Sequence, residues 1–321
     1  MSKRRKRVKL NALLQKALKH DRRAISQLIS VAENDPRSRI EILTKLYWRT
    51  GRADVVGITG PPGCGKSTLI AQLTKHFRNA VQTVGVVAVD PSSQITGGAL
   101  LGDRIRMSEL AADPKVFIRS MATRGHFGGV ARATQDAVQI LDATSMDHVL
   151  VETAGAGQSD VDVKGLVDTT VVVTAPGLGD EIQALKAGIM EIADIFVVNK
   201  SDREDADQTA QELFSAITMS ETVHGWRPRV IKTVATTGDG IVALAEAIYQ
   251  HAQNIHKVGY VKREDSDALR SEILDATKRY FEDIMLQELA SSREFTKLFI
   301  QVNARKLDPY TAGRMLAEGK K

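Results

Sequence analysis

The chain has 321 residues, of which 43% are hydrophobic and 26% are charged, and its formal net charge is +5. This composition is typical of a globular protein, and no run of about 18 apolar residues predicts a membrane-spanning helix. The N-terminus lacks the apolar core of a signal peptide, so we expect a cytoplasmic protein without a membrane partner. The single cysteine, Cys64, excludes a disulfide framework and a multi-cysteine metal site within one chain.

The positive charge is concentrated in residues 3–9, which contain six lysines and arginines. Without that segment the rest of the chain has a net charge of about −1. A short basic tail is more typical of a solvated terminus than of a nucleic-acid-binding arm. We therefore expect no nucleic-acid partner.

Residues 10–48 carry apolar side chains at helical spacing, which predicts two helices separated at Asp35 and Pro36. Asp35 suits a helix N-cap and Pro36 suits the first helical position after it. The sequence thus predicts an N-terminal helical extension, residues 1–50, packed on the domain that follows. This segment contains no residues that point to chemistry.

Residues 60–68 read GPPGCGKST, a GxxxxGKS phosphate loop between an apolar strand pattern and a helical pattern. Its glycines let successive backbone N–H groups turn around a polyphosphate, and the helix start adds donors and the positive end of its dipole. Lys66 would reach the terminal phosphates, and the Ser67 hydroxyl would bind Mg²⁺. The predicted nucleotide-binding residues of this loop are Gly60, Pro61, Pro62, Gly63, Cys64, Gly65, Lys66, Ser67 and Thr68.

Short apolar strands alternate with helical patterns from residue 54 onward, which predicts a doubly wound α/β domain with a mostly parallel sheet over residues 51–258. Ligands of such sheets bind at the carboxyl ends of the strands, so the residues after each strand are the first candidates for a site. The predicted strands are residues 84–89, 116–118, 149–151, 170–173, 195–198 and 230–234, together with the strand before the phosphate loop.

An NKxD motif, Asn199-Lys200-Ser201-Asp202, follows the predicted strand at residues 195–198. The Asp202 carboxylate can accept two hydrogen bonds from guanine, from N1–H and from the N2 amino group, and adenine offers no such pair. Asn199 and Lys200 would brace the loop and cover the ring. Together with the phosphate loop, this motif favours GTP and GDP over adenine nucleotides. Residues 233–240, with Val234 and Ala235, would supply a backbone donor to the guanine carbonyl.

The metal ligands are harder to assign, because several acids follow the predicted strands. Mg²⁺ requires oxygen ligands, and one or two carboxylates beside Ser67 would suffice. Glu152 occupies the Walker B position, and Gly155 is placed to offer its N–H to the terminal phosphate. Asp90 and Asp103 are the other candidates, as direct ligands, as water-mediated ligands or as orienting groups.

Ala156 stands where a Ras-like enzyme has the glutamine that orients the attacking water. Catalysis in this class is mainly positioning and charge stabilisation, so the absence of that glutamine predicts slow intrinsic turnover. We expect a switch-like GTPase that a partner accelerates by reorganising its loops.

Six segments of the chain, in order, resemble the MeaB/ArgK-type GTPases of the SIMIBI class, which escort cobalamin-dependent acyl-CoA mutases. They cover about residues 55 to 202. The segments are GITGPPGCGKST, VAVDPSSQITGGALLGDRIRM, FIRSMATRGHFGGVA, VLVETAGAGQSDVDV, PGLGDEIQALKAGIMEIADI and NKSD. Two segments depart from the familiar forms, ETAGAGQSD and SMATRGHFGG, and these departures leave the identity of the mutase open.

The resemblance implies a homodimer with a C-terminal helical dimerisation arm, residues 259–321. It implies that Lys66, Asp90, Asp103 and Glu152 form the catalytic GTP and Mg²⁺ centre. Lys186, in a mobile switch segment, would reach toward the nucleotide or the partner. The implied partner is an adenosylcobalamin-dependent acyl-CoA mutase, either methylmalonyl-CoA mutase or a relative such as 2-hydroxyisobutyryl-CoA mutase, and an adenosyltransferase is a further candidate.

Three alternatives stay open at this point. A metal-delivery GTPase of the hydrogenase or urease maturation type shares this fold, but it would need a Cys or His cluster that the sequence does not show at ligand spacing. A kinase would need a catalytic base, and no kinase-type loop accompanies the phosphate loop. A nucleic-acid-binding GTPase would have to use the basic tail.

Overall fold

The computed structural model describes residues 3–90, 108–122, 129–153, 165–177, 191–218, 225–257 and 266–319. The chain divides into two compact units, Met1–Gly259 and Tyr260–Lys321, and the N-terminal helices belong to the first unit. Within the described ranges, no helix is both long and apolar enough to cross a membrane.

The first unit is built on a seven-stranded parallel sheet in the order β3-β2-β4-β1-β5-β6-β7. This sheet confirms the predicted α/β fold. The last strand ends two residues earlier than predicted, because Val234 leaves the ladder and pairs with Asp239 in an antiparallel bridge. The strands are β1 (Asp54–Thr59), β2 (Val84–Asp90), β3 (Val116–Ala122), β4 (His148–Glu152), β5 (Thr169–Thr174), β6 (Ile195–Val198) and β7 (Arg229–Lys232).

The helices described in the first unit lie before, between and after these strands. They are α1 (Lys3–Ala17), α2 (Arg22–Asn34), α3 (Pro36–Leu46), α4 (Lys66–Asn79), α5 (Ser108–Ala111), α6 (Gly129–Ala143), α7 (Ala206–Thr218) and α8 (Ile241–Lys257). A short 3₁₀ turn, Tyr47–Arg49, follows α3.

Three N-terminal helices are present where the sequence predicted two. The additional boundary lies at Asp21, whose carboxylate accepts the backbone N–H of Ala24 and so caps the start of α2. His20, directly before it, has a left-handed backbone with φ of 62°, which ends the preceding helix. The break predicted at Asp35 and Pro36 is also observed, with Asp35 accepting the N–H of Ser38.

Two apolar cores cover the two faces of the central strands. On one face, α1, α2, α3 and α6 pack on side chains that include Val55, Val87 and Phe117. On the opposite face, α4 and α8 pack on side chains that include Val56 and Ile58. The N-terminal helices are therefore part of the core of this unit, because they cover sheet surface that would otherwise be exposed.

Polar contacts also fasten these helices to the sheet. The Arg119 guanidinium on β3 donates to Glu33 of α2 at 2.8 Å and to Ser30 at 3.2 Å. The Asp142 carboxylate at the end of α6 accepts backbone N–H groups from Gly51, Arg52 and Ala53, directly before β1. The segment between the helices and the first strand is thereby held by charge-assisted hydrogen bonds.

Carboxylates also tie the amino ends of neighbouring strands together. Asp147 accepts the N–H of Thr83 at 2.6 Å, Asp168 accepts that of Val55 at 3.1 Å, and Asp194 accepts that of Thr170 at 2.7 Å. Each of these aspartates directly precedes a strand and bonds to the start of the adjacent one. The same device recurs along the edge of the sheet that lies away from the phosphate loop.

Two buried histidines lie at the amino ends of these strands. His148 begins β4, and its ring stacks on Phe77 with centroids 3.9 Å apart. His251 on α8 has Nδ1 2.8 Å from the Thr169 hydroxyl. Burial lowers the pKa of each imidazole from 6.5 to about 4, so both rings are neutral at neutral pH.

The second unit, described over residues 266–319, is helical. Its helices are α9 (Ser266–Tyr280), a π-helical turn (Phe281–Met285), α10 (Leu286–Ala290), α11 (Arg293–Asn303) and α12 (Pro309–Glu318). Ile284 and Leu298 are buried, whereas many other large apolar side chains are exposed. These exposed side chains are Ile273, Leu274, Tyr280, Phe281, Leu286, Phe295, Phe299, Ile300, Tyr310 and Met315.

The lowered pKa of His148 makes stability depend on pH. The unfolded chain binds a proton at this ring near pH 6.5 and the folded protein only near pH 4, so the free energy of unfolding should fall as pH drops between these values. We expect each buried histidine to remove up to about 2 kcal/mol between pH 7 and pH 5. His148→Phe, which keeps an aromatic ring on Phe77, should flatten this dependence in chemical denaturation at the two pH values.

The exposed His20 provides the control for this measurement. His20→Asn preserves a residue that tolerates the left-handed backbone, and it should keep the pH dependence of the unmodified protein. An unchanged slope in His148→Phe would show that the burial of this ring does not set the acid sensitivity.

Candidate functional site

The phosphate loop leaves the carboxyl end of β1 and passes directly over the backbone of β5. A Cβ atom at Gly60 would lie 2.0 Å from the carbonyl oxygen of Val173, and φ at Gly60 is +142°, so a side chain is excluded by both space and backbone conformation. The loop ends at Gly65, which precedes the first residue of α4. The positive end of the helix dipole therefore lies at the loop, as an anion site requires.

Lys66 is buried, and its ammonium group lies inside the phosphate loop. Nζ donates to the carbonyl oxygens of Gly60 at 2.7 Å and Pro61 at 3.1 Å. Backbone carbonyls thus hold the cation at the centre of the loop. A bound polyphosphate would offer this ammonium group stronger, anionic acceptors.

Ser67 and Glu152 meet at the carboxyl ends of the strands, on the sheet face that α4 covers. The Ser67 hydroxyl, in the first turn of α4, donates to Glu152 Oε1 at 2.6 Å, and Glu152 is the buried last residue of β4. A hydroxyl and a carboxylate are hard oxygen donors of the kind that Mg²⁺ binds, so this pair fits the predicted ion. Bound there, Mg²⁺ would neutralise charge on the outer phosphates.

Asn199 connects the phosphate loop to the two loops predicted to hold the base. Its buried side-chain amide donates to the carbonyl oxygen of Cys64 at 2.8 Å, and its carbonyl oxygen accepts from Thr233 Oγ1 at 3.1 Å and from the Ala235 N–H at 3.0 Å. A Cβ atom at Gly65 would lie 2.3 Å from Nδ2 of Asn199. The three loops are thereby held at a fixed spacing.

Lys200 adds a second link between these loops. Its backbone has φ of 57°, and Nζ donates to the carbonyl oxygen of Gly63 at 2.7 Å. Its aliphatic stem therefore spans the gap between the NKxD loop and the phosphate loop. Asp202, two residues further on, is exposed. The motif thus combines a bracing residue, a covering residue and an accessible carboxylate in one turn.

The backbone N–H groups of Val234 and Ala235, the predicted base donors, each have an acceptor within the protein. The N–H of Val234 donates to the carbonyl oxygen of Asp239, and that of Ala235 donates to Asn199. Each group is already satisfied by a protein acceptor. Donation from this segment to guanine stays a prediction, and the base would compete with these two acceptors for the N–H groups.

A scan against family models matches residues 23–290 to the model described as "Methylmalonyl Co-A mutase-associated GTPase MeaB". The chain belongs to this family. The resemblance found in the six sequence segments is thereby confirmed.

Individual relatives extend over most of the chain. A provisionally named GTPase of Pyrococcus horikoshii is 47% identical over 313 residues, covering 96% of this chain and 98% of its own. A Caenorhabditis elegans protein named methylmalonic aciduria type A homolog, mitochondrial, is 32% identical over 278 residues, covering 84% and 70%. The crystal structure of a LAO/AO transport system kinase has the same fold, with a TM-score of 0.69, 24% identity and 97% of each chain covered.

Several residues predicted for the site of this MeaB-family chain fall outside the described residues, namely Asp103, Gly155 and Lys186. Asp90 is the last residue of β2, so its backbone reaches the same sheet edge as Glu152, but its side chain is outside the description. Across the described ranges there is no group of three or more His, Cys, Asp and Glu side chains that could hold a metal ion.

Cys64 is buried within the phosphate loop. Burial raises the pKa of its thiol, against the lowering effects of Lys66 and Lys200 nearby. The thiol is therefore protonated at neutral pH, and its side chain fills the space beneath the loop. This environment is typical of a structural cysteine and not of a reactive one.

Two threonines at the carboxyl ends of β1 and β4 were not predicted from the sequence to belong to the site. Thr59 directly precedes Gly60, and Thr153 directly follows Glu152; the Thr153 hydroxyl donates to that of Thr59 at 2.9 Å, and both side chains are buried. In the sequence, the one feature that could have identified them is that each is adjacent to a motif residue.

Substitution of Asn199 tests the link between the loops. Asn199→Ala removes three buried hydrogen bonds at about 1 kcal/mol each, so GDP affinity should fall by roughly 10- to 100-fold. Titration with a fluorescent GDP analogue measures this loss. Gln208→Ala, which removes an exposed carboxamide on α7, should bind GDP like the unmodified protein. Equal affinity in Asn199→Ala would contradict the role assigned to this side chain.

Proposed function

We propose that this protein is a GTP-binding and GTP-hydrolysing chaperone that gates cofactor loading of an adenosylcobalamin-dependent acyl-CoA mutase and protects or reactivates that mutase. The observation that carries the proposal is the joined pair of loops, in which Asn199 and Lys200 of the NKxD motif bond directly to the phosphate loop. Such a pair selects a nucleotide by its base and its phosphates together. Family membership adds the association with a mutase.

GTP and Mg²⁺ are the proposed ligands, and hydrolysis to GDP and phosphate is the proposed reaction. Lys66 would stabilise charge on the terminal phosphates, and Ser67 and Glu152 would hold the ion. Asp202 would select guanine through its exposed carboxylate. We propose Asp90, Asp103, Gly155 and Lys186 as further contributors, on the basis of sequence position alone.

Slow intrinsic turnover is part of the proposal. Lys66 is already bonded to loop carbonyls, and Ala156 replaces the glutamine that would orient water. A GTPase with these features depends on a change in its loops to reach full rate. We propose that the partner supplies this change.

Methylmalonyl-CoA mutase, or a relative such as 2-hydroxyisobutyryl-CoA mutase, is the proposed partner, with an adenosyltransferase as a further one. The support is the family description and the name of the Caenorhabditis elegans relative. We place this encounter in the cytoplasm.

We further propose that the second unit mediates self-association. Ile273, Leu274, Phe281, Phe299 and Ile300 are each more than half exposed, and the buried apolar side chains described in this unit are only Ile284 and Leu298. An exposed apolar surface of this extent is typical of an interface. A second copy of the chain, joined by a two-fold axis, would cover the same surface on both partners.

A capture experiment tests the proposed partner. The immobilised full chain, loaded with GDP or with a non-hydrolysable GTP analogue, is incubated with purified methylmalonyl-CoA mutase and, separately, with 2-hydroxyisobutyryl-CoA mutase. We expect one mutase to bind in a nucleotide-dependent manner and to accelerate GTP hydrolysis. Lys66→Ala, which loses the phosphate-binding cation, should lose the nucleotide dependence. Failure of both mutases to bind in either state would refute the proposed partner.

Light scattering during size-exclusion chromatography tests self-association. The unmodified chain of 35.0 kDa should elute at about twice this mass. Phe299→Glu, at a side chain that is 59% exposed, should shift the protein toward the monomer. Phe214→Glu, at an equally large side chain on α7 that is 66% exposed, is the matched control and should stay dimeric. A monomeric unmodified protein at micromolar concentration would refute the interface.

A further inference from the structure

We propose that the buried hydroxyls of Thr59 and Thr153 form a clasp that positions Glu152 against Ser67, and that this clasp thereby sets the Mg²⁺ requirement of nucleotide binding and the rate of turnover. The inference rests on the proposed GTPase function. It assigns a positioning role to two residues that belong neither to the phosphate loop nor to the NKxD motif.

The clasp joins the carboxyl ends of two neighbouring strands. Ile58 of β1 is in register with Glu152 of β4, so Thr59 and Thr153 are the next pair along the ladder. Their hydroxyls are 2.9 Å apart, and the N–H of Thr153 donates to the carbonyl oxygen of Ile58 at 3.1 Å. These two bonds extend the contact between the strands one residue beyond the paired register.

Glu152 and Thr153 point to opposite faces of the sheet, because successive side chains of a strand alternate. Val151 belongs to the core on the α6 face, and Leu150 belongs to the core on the α4 face. Thr153 therefore shares the α6 face, whereas Glu152 shares the α4 face and reaches Ser67. The end of β4 is held from both sides, by the carboxylate on one face and by the hydroxyl on the other.

The position of Glu152 depends on this second anchor. A carboxylate at the end of a strand can swing with the strand end, and a ligand of Mg²⁺ must be held in near-ideal octahedral geometry. Groups that orient a metal ligand through a second contact commonly change metal affinity or activity by 10- to 100-fold when removed. Thr59 also directly precedes Gly60 in the chain, and the carbonyl oxygen of Gly60 accepts a hydrogen bond from Lys66. The clasp thus lies directly behind both charged groups of the phosphate site.

Thr153→Val tests the clasp, because valine keeps the shape and removes the hydroxyl. We expect the Mg²⁺ concentration for half-maximal binding of a fluorescent GTP analogue to rise about tenfold, and single-turnover hydrolysis at saturating nucleotide to slow about tenfold. Thr153→Ser restores the hydroxyl and should return both values to within about twofold of the unmodified protein. Thr59→Val should resemble Thr153→Val. In the double variant the two losses should not multiply, because both substitutions break the same hydrogen bond.

Thr174→Val is the matched control. Thr174 ends the neighbouring strand β5 and is equally buried, but its hydroxyl makes no hydrogen bond to any described residue. This variant should keep the Mg²⁺ requirement and the rate. A loss in Thr174→Val as large as that in Thr153→Val would overturn the clasp, since any hydroxyl at the sheet edge would then have the same effect.

Thermal unfolding of each variant separates positioning from folding. If Thr153→Val lowers the unfolding temperature but leaves the Mg²⁺ requirement and the turnover of the folded protein unchanged, the hydroxyl is only structural and the inference is wrong. If the unmodified protein binds no guanine nucleotide, the proposed function itself fails. Multiplying losses in the double variant would also overturn the inference.

Discussion

The buried carboxamide of Asn199 determines the spacing of the whole nucleotide site. It is the one described side chain that bonds both to the phosphate loop, at Cys64, and to the segment after β7, at Thr233 and Ala235. An amide suits this position because it offers a donor and an acceptor on one rigid plane. Replacement by a carboxylate would leave the carbonyl of Cys64 facing an acceptor. The distance between the phosphate-binding end and the base-binding end of the site is therefore set by this side chain together with the second link from Lys200.

That arrangement also explains two glycines of the phosphate loop. Gly65 lies against Asn199 and Gly60 lies against the backbone of β5, with no room for a Cβ atom at either position. The loop is thus confined by its neighbours on two sides before any ligand binds. Preorganisation of this kind reduces the ordering that nucleotide binding must impose.

The N-terminal helices have a different relation to the site. They belong to the core on the sheet face opposite α4. Arg119 of β3 bonds to α2, and Asp142 of α6 holds the segment between these helices and β1. The sheet is therefore enclosed on both faces, as a parallel sheet with long apolar strands requires. Removal of these helices would expose part of the apolar cluster that they share with α6 and the strands.

Much of this structure was predictable from the sequence, and the reasons are local. The phosphate loop was predicted because its residue types and spacing are dictated by one local backbone turn, and the strands because runs such as residues 170–173 have an unambiguous pattern. The Thr59–Thr153 bond was missed because it joins residues far apart in the chain, and a periodic pattern indicates a face but not a partner. The bond between the Ala235 N–H and Asn199 was missed for the same reason, since it joins two loops that lie far apart in the chain.

The aspartates before β4, β5 and β6 have a mechanical consequence. Each bonds an adjacent strand at its amino end, so neighbouring strands cannot slide along one another there without breaking a charge-assisted hydrogen bond. The amino ends of these strands are therefore held more rigidly than their carboxyl ends. We expect a shape difference between two ligand states to be taken up at the opposite, carboxyl ends of the strands, where the phosphate loop and the NKxD loop begin.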